Sequence, residues 1–279
     1  MSSGLDIALI QTRTPATAAE ALAHVEPLIR QAAADGAKFI LTPEACNRLE
    51  QRPDRRRLGI VDEDQDALVI GLRHLAAELG VWILIGSAIV NSGHVGDARA
   101  ANRSLLIDAH GAIVARYDKL HVFDVDLANG ERYRESAGIR PGDGAAIADT
   151  PWGRLGLSVC YDMRFPHLYR QLAKTGAVMI AVPAAFTVPT GRAHWETLLR
   201  ARAIETGAYV LAPAQGGVHE DGRATWGHSI VIAPWGQVIA RLDHDEPAVL
   251  HARLDFTEVD KARASVPALL HDRDFTPPL

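Results

Sequence analysis

The hydrophobic pattern of these 279 residues predicts an α/β fold of four layers, with two sheets packed face to face and helices outside, α-β-β-α. Three observations lead there. Early in the chain, short apolar runs alternate with stretches of helical periodicity; later the runs follow one another as hairpins. The runs are apolar almost without interruption, the pattern of strands covered on both faces. No Pro/Ser-rich linker or charge block divides the chain, so residues 5–277 read as a single domain.

In order, Leu5–Ile10 is a buried strand, and Ala16–Asp35 an alanine-rich helix stopped by Gly36. Lys38–Thr42 is a second strand, ending at Pro43-Glu44. Asp66–Leu79 is a helix closed by Gly80, and Val81–Val90 a long strand. Asn102–Asp108 and Ile113–Tyr117 form a hairpin around Ala109-His-Gly111. Asp124–Gly144 has no periodicity and reads as a long loop, which in a compact domain is functional or disordered. Ile147–Asp149 and Leu155–Cys160 flank a Pro151-Trp-Gly turn. Pro166–Lys174 is a helix, Val178–Ala184 a strand, and Ala193–Thr206 a helix that Gly207 ends. Tyr209–Pro213, Ser229–Ala233, Val238–Leu242 and Val249–Leu254 are strands, and Thr257–Ala264 is a last helix. One echo runs through this order. Leu106-Ile-Asp-Ala-His-Gly-Ala-Ile-Val-Ala-Arg116 is similar to Val231-Ile-Ala-Pro-Trp-Gly-Gln-Val-Ile-Ala-Arg241. Two hairpins of one type would look alike, and so would two related halves of one chain.

Composition bounds the function. Hydrophobic residues make up 48% and charged residues 23%, with mean hydropathy near zero, which is the composition of a soluble globular protein. A net charge of −5 gives no reason to bind nucleic acid or anionic membrane. Two cysteines form neither a disulfide framework nor a cysteine-rich zinc site, and thiol-poor chains suit a reducing compartment. The start, Met1-Ser-Ser-Gly-Leu-Asp, lacks the positive segment of a signal peptide, and no run approaches the roughly 20 apolar residues of a membrane span. The expectation is a cytoplasmic protein.

Chemistry concentrates at strand ends. Cys160 stands where an apolar run, Gly153–Val159, meets Tyr161-Asp-Met-Arg-Phe-Pro166, a strand-to-turn-to-helix junction of the kind that displays a nucleophile. Taken alone, it reads first as a small core residue. Glu44 follows Leu41-Thr-Pro43, Lys119 follows the strand Ile113–Tyr117, and Glu135 lies in Tyr133-Arg-Glu-Ser136. Taken alone, each of these reads first as a solvated turn, surface or loop charge. Together they could converge on one cleft, as sites at the ends of sheet strands do. Rival chemistries find little. There is no His-Glu-x-x-His zinc pair and no glycine-rich phosphate loop; His219-Glu220 is an isolated loop dipeptide, and Gly216-Gly217 fits a turn. Nothing singles out His121 or His167 as a base for the cysteine.

Three blocks carry a resemblance. Leu41-Thr-Pro-Glu44, Tyr117-Asp-Lys-Leu-His-Val-Phe-Asp124 and Leu157-Ser-Val-Cys-Tyr-Asp-Met-Arg-Phe-Pro166 resemble, in order and spacing, the signature blocks of the nitrilase superfamily of carbon–nitrogen hydrolases. The likeness runs from about Leu5 to Pro277. It implies the four-layer nitrilase-type sandwich and a Glu-Lys-Cys triad, here Glu44, Lys119 and Cys160, with Glu135 as a second glutamate of the site. It implies attack by the Cys160 sulfur on an amide carbonyl, Glu44 as proton carrier, Lys119 and the Tyr161 N–H facing the oxyanion, and a thioester intermediate. No metal or organic cofactor is implied.

Val182-Pro-Ala-Ala-Phe-Thr187, Thr190-Gly-Arg-Ala-His-Trp-Glu196 and Gly227-His-Ser229 are similar to the Nit-type amidase branch. That likeness implies the primary amide of a small carboxylated substrate, deaminated glutathione first, with α-ketoglutaramate as the alternative. Ala212-Pro-Ala-Gln215 favours the first, and Trp226 the second. Arg164 would hold a carboxylate as a fork, or make an interface ion pair instead. Tyr161, Phe186, Thr187 and Thr190 are the other candidate substrate-binding residues. The helices Pro166–Lys174 and Ala193–Thr206 imply a homodimer or larger homo-oligomer. From a different class, a non-catalytic interaction module on the same fold would have no reason to keep a lysine between acids.

Overall fold

The computed structural model describes residues 4–276 except 51, 53, 54, 56, 128 and 129; Met1–Ser3 and the expected domain end at Pro277 lie outside the described residues. The first half of the chain supplies β1 (Gly4–Gln11), α1 (Ala18–Ala34), β2 (Phe39–Leu41), α2 (Ala67–Leu79), β3 (Trp82–Asn91), β4 (Ala100–Ile107) and β5 (Ile113–Asp118). A two-stranded ribbon follows, β6 (Asp124–Asp126) with β7 (Arg132–Arg134). The second half supplies β8 (Ala146–Thr150), β9 (Gly153–Leu157), α3 (Pro166–Lys174), β10 (Ala177–Ala181), α4 (Val188–Thr206) and β11 (Tyr209–Ala212). A second ribbon, β12 (Gly216–Val218) with β13 (Ala224–Trp226), precedes β14 (Ile230–Ile232) and β15 (Val238–Arg241). The last strand and helix are β16 (Ala248–Asp255) and α5 (Thr257–Ser265).

Two six-stranded sheets result, ordered β16-β1-β2-β3-β4-β5 and β8-β9-β10-β11-β14-β15. In each, three parallel strands are flanked by one antiparallel strand on one side and an antiparallel hairpin on the other. The sheets repeat one plan, and the two hairpins that echo each other in sequence, β4–β5 and β14–β15, hold the same place in it.

Strand alternation builds the layers. Along β1, Leu5, Ile7 and Leu9 join the core between the sheets, while Ala8 and Ile10 join a second core under α1 and α2. β2 does the same, with Phe39 and Leu41 inward and Ile40 toward the helices. On the other side, Leu168 and Leu172 of α3 and Trp195 and Leu199 of α4 cover the second sheet. The helices begin and end on local chemistry. Thr17 caps α1 by accepting from the Glu20 N–H, Asp66 caps α2 by accepting from Leu68 and Val69, and Gly80 and Gly207 end α2 and α4 in the left-handed conformation.

Four expectations need correction. The stretch 124–144 is not one structureless loop: it holds the β6–β7 ribbon and a 3₁₀ turn, Glu135–Ala137, in segments of three residues that are too short to show periodicity. Gly216 and Gly217 are not a turn but the start of β12, paired with Trp226 and Thr225. α4 starts at Val188 rather than Ala193, because Pro189 fits a first helical turn. β9 ends at Leu157, so Cys160 stands beyond the strand, in a 3₁₀ segment, Cys160–Arg164.

Candidate active site

Both sheets deliver residues to one place. Glu44 lies just past β2, and its loop is pinned to the first sheet by Ser87, whose Oγ accepts from the Ala45 N–H at 2.8 Å and whose carbonyl accepts from the Cys46 N–H at 2.8 Å. Lys119 directly follows β5, and its backbone N–H donates to Asn102 O at 3.0 Å. Glu135 directly follows β7. Cys160 comes from the second sheet, with φ of 51°. That left-handed conformation is costly for a residue with a side chain, about 1–3 kcal/mol. Buried Asp162 holds the bend: its carboxylate accepts from the Val159 N–H at 2.8 Å, the His121 N–H at 3.0 Å and the Tyr117 hydroxyl at 2.7 Å.

The four expected polar residues meet. Lys119 Nζ donates to Glu44 Oε1 at 2.8 Å and to both Glu135 oxygens at 3.0 and 2.8 Å. The other Glu44 oxygen, Oε2, accepts from the Ala185 N–H at 2.9 Å. The Cys160 thiol lies beside this pair, close enough for the charges of Glu44 and Lys119 to act on it. Lys119 is 2% exposed and Cys160 7%. Burial opposes charge on Glu44, but the Lys119 ammonium and its hydrogen bond outweigh it and hold the carboxyl below its ordinary range. Burial also works against the Lys119 charge, yet Glu135 and Glu44 keep the ammonium protonated well above its ordinary range. Burial, reinforced by the Glu44 charge, pushes the Cys160 thiol well above its ordinary value of 9.0. The resting arrangement is therefore a neutral thiol beside a carboxylate and an ammonium.

A cavity of about 420 Å³ opens over this cluster. Arg164, Phe186, Thr187 and Thr190 line it as expected; the Tyr161 side chain does not, and packs instead edge-on against Phe123 and Phe165. The Tyr161 N–H, in the first turn of the 3₁₀ segment, has no intrahelical acceptor. Thr187 and Thr190 are engaged with each other, hydroxyl to hydroxyl at 2.8 Å.

Sequence reasoning missed Asn102 and Arg223. The Asn102 amide donates to Glu44 Oε1 at 2.9 Å and Glu135 Oε1 at 3.2 Å, tying the two carboxylates together. Its signal was weak: an amide inside a strand that also carries Arg103 and Ser104. Arg223 lines the cavity from the turn between β12 and β13. Three buried side-chain polar atoms lack a partner among the described residues, and two of them, Asn102 Oδ1 and Arg223 Nε, belong to residues of this cavity. Gln215, fully buried, braces the site from behind, donating to Glu44 O at 2.9 Å and to Thr14 Oγ1 at 2.6 Å. Among the described residues, no group of three His, Cys, Asp or Glu side chains is placed to hold a metal ion, and no helix is long and apolar enough to cross a membrane.

Known proteins are similar to this chain in sequence and fold. The family model described as carbon-nitrogen hydrolase matches residues 6–264. A deaminated glutathione amidase of Yersinia enterocolitica is 40% identical over 96% of this chain and 93% of its own length. The Homo sapiens deaminated glutathione amidase is 39% identical over 88% of this chain and 75% of its own length. Among solved structures, the C. elegans NitFhit protein superposes with a TM-score of 0.87 at 34% identity, covering 97% of this chain; this chain spans 65% of that one. A cysteine-to-alanine mutant of the amidase from Nesterenkonia sp. AN1, in complex with butyramide, superposes with a TM-score of 0.76 at 28% identity, over 94% of this chain and 95% of that one. With the family model matching residues 6–264 and a solved relative superposing over 97% of the chain, the chain belongs to the carbon-nitrogen hydrolase family of the nitrilase superfamily and is an amidase acting on carbon–nitrogen bonds other than peptide bonds.

Proposed function

We propose that this amidase hydrolyses the amide of a small carboxylated substrate, deaminated glutathione, through a thioester on Cys160. The observation that carries the reading is the buried cluster itself: a thiol beside a carboxylate and an ammonium, under a cavity walled by arginines. The 40% identical relative named for deaminated glutathione supports the substrate.

The chemistry follows from the resting charges. Glu44 takes the thiol proton as sulfur attacks the amide carbonyl, so a thiolate exists only during attack. Lys119 Nζ and the Tyr161 N–H face the oxyanion; losing one such donor typically costs about 10²–10³ in rate. Glu44 passes its proton to the departing nitrogen, the C–N bond breaks and the amine leaves. Glu44 then takes a proton from water, whose oxygen attacks the thioester; the acid departs and the proton returns to sulfur. Glu135 is a positioning residue, holding the ammonium in place through both of its oxygens. The expectation of a primary amide applies to α-ketoglutaramate alone. Both amide bonds of deaminated glutathione are secondary, so its leaving group is an amine rather than ammonia.

Three measurements test this. Cys160→Ala is expected to abolish product release from either amide; full turnover would remove Cys160 from the mechanism. In wild-type protein quenched with acid during turnover, mass spectrometry is expected to find acyl adducts on Cys160; adducts on Cys46 would move the nucleophile. The ratio of kcat/KM for deaminated glutathione over α-ketoglutaramate is expected to exceed one, and the reverse would change the substrate and leave the mechanism.

We also infer that residues 5–277 act as one domain, in the cytoplasm, where both unpaired cysteines stay reduced, and that the chain works as a homodimer or larger assembly. Ile204 on α4 and Trp235 on the β14–β15 turn are both exposed, and Ile204 lies against Gly236 of that turn, an apolar surface suited to a second copy. Light scattering at micromolar concentration checks the assembly; a monomeric mass counts against it.

A further inference from the structure

Six arginines line the cavity, and four are committed elsewhere. Arg132 and Arg134 face Asp126 at 3.4 and 2.8 Å. Arg48 donates to the carbonyls of Leu58 and Arg55, and Arg57 to that of Ala98. Arg164, already a candidate carboxylate fork, contacts His194 Nδ1 at 3.2 Å and lies 5.6 Å from the Phe186 ring centre. Arg223 differs from them all. Its guanidinium donates to Ala185 O and lies 5.6 Å from the Tyr133 ring centre, so two contacts fix its plane. Its Nε is buried and has no partner, and no carboxylate is within ion-pair distance of it among the described residues.

We propose that Arg223 is a specificity-determining residue whose guanidinium binds a carboxylate carried on the acyl side of the scissile amide. The inference rests on the amidase reading of the site and names the residue that selects its substrate class. Arg223 is half-buried at the cavity wall, spends one N–H on Ala185 O, and has no carboxylate within ion-pair distance among the described residues, so its guanidinium keeps donors for a ligand. A carboxylate supplies acceptor oxygens and a complementary charge for such a group. Position agrees as well. The Ala185 carbonyl that Arg223 holds belongs to the residue whose N–H meets Glu44, and the Arg223 charge reaches Glu44. Arg223 thus lies toward the reacting end of the cavity. In an acyl group such as 2-oxoglutaryl, four carbon–carbon bonds of about 1.5 Å separate the scissile carbonyl from the far carboxylate, a span suited to that placement. A rival role is purely structural, with Arg223 clamping Ala185 so that its N–H stays on Glu44. The two roles separate by substrate charge, because a clamp serves every amide equally.

The test measures binding without turnover, by calorimetry on Cys160→Ala protein, using α-ketoglutaramate and the neutral amide butyramide. Adding Arg223→Gln is expected to weaken α-ketoglutaramate about 10- to 100-fold more than butyramide, the range of a lost charge-assisted hydrogen bond. Arg223→Lys, which keeps the charge and loses the fork, is expected to recover part of that loss. Equal losses on the two amides mark a clamp and overturn the proposal; so does no loss, or no measurable binding of α-ketoglutaramate to Cys160→Ala protein. Turnover is scored apart. Arg223-dependent binding with no amine released from deaminated glutathione and no ammonia from α-ketoglutaramate by the wild-type protein would overturn the amidase mechanism and leave the carboxylate site standing.

Discussion

Asn102 is the side chain through which the two glutamates feel each other. Both of its amide hydrogens end on carboxylates, so it ties the two acids into one network. Asn102→Asp would set a third carboxylate against them, and one of the three must then stay protonated. We expect kcat to fall about 10- to 100-fold and the acid limb of the pH profile to move upward, whereas Asn102→Leu should lose rate with a smaller shift of that limb. In the unaltered protein the sign runs the other way. The active form carries ionised Glu44, and its lowered pKa keeps it ionised as pH falls through 4.5. The Cys160 thiol stays protonated past 9, and no histidine is bonded to it among the described residues. kcat/KM is therefore expected to stay flat between about pH 6 and 8; a pH–rate profile with an inflection near 6.5 would indicate a histidine instead. Glu44, Lys119 and Cys160 were legible because each sits in a contiguous block that resembles the family's signature; alone, none of them stood out. Asn102 was not, since a buried amide within a strand looks like any polar interruption until its neighbours in space are known.

Elements succeed or fail here by how closely their backbones approach. Gly86, within β3, leaves room for the loop that carries Glu44 and for the β10–α4 loop. A Cβ there would lie 1.9 Å from Thr42 O, 2.4 Å from Pro183 Cβ and 2.7 Å from Pro43 O. Two of these contacts are backbone, which cannot swing aside. Pro183 O in turn accepts the Cys160 N–H at 2.9 Å. Gly86→Ala is expected to destabilise the fold by about 3 kcal/mol or more and to lower activity further than the stability loss explains; urea unfolding and kcat/KM on the same preparation check both. The long strands and all five helices were readable, because each runs far enough to display its period and four of them carry a cap or stop. The two ribbons were not. Each strand of β6–β7 and β12–β13 has three residues, and what holds them is pairing across the sequence, such as Gly216 with Trp226. Arg223 was lost with its ribbon.

For the molecule as a whole, buried thiols set an alkaline limit. Burial pushes Cys46 up to about 12, and Cys160 also lies well above 9. Unfolded, both would ionise near 9, so above that pH the folded chain holds more protons and stability falls as pH rises. Lys119 adds to the trend: its raised pKa contributes stability below 10.5 that is lost as pH climbs through the folded value. The urea midpoint is expected to drop between pH 8 and 10, and to drop less in Cys46→Ala; an unchanged slope would remove Cys46 from the account. The sandwich was legible at this scale from buried strands and their order, and the repeated plan of the two sheets was visible only as one echo between hairpins. The pairing of β1 with β16 was not legible, since it joins the two ends of the chain. It also imposes a schedule. A ribosome makes Gln11 near the start and Ala248 near the finish, at about 5–20 residues per second. The outer edge of β1 must therefore wait roughly tens of seconds for its partner, with its hydrogen-bonding groups open to any other strand that passes. Nascent chains released before Ala248 should aggregate where full-length chains do not, which makes the last strand the seal on the first.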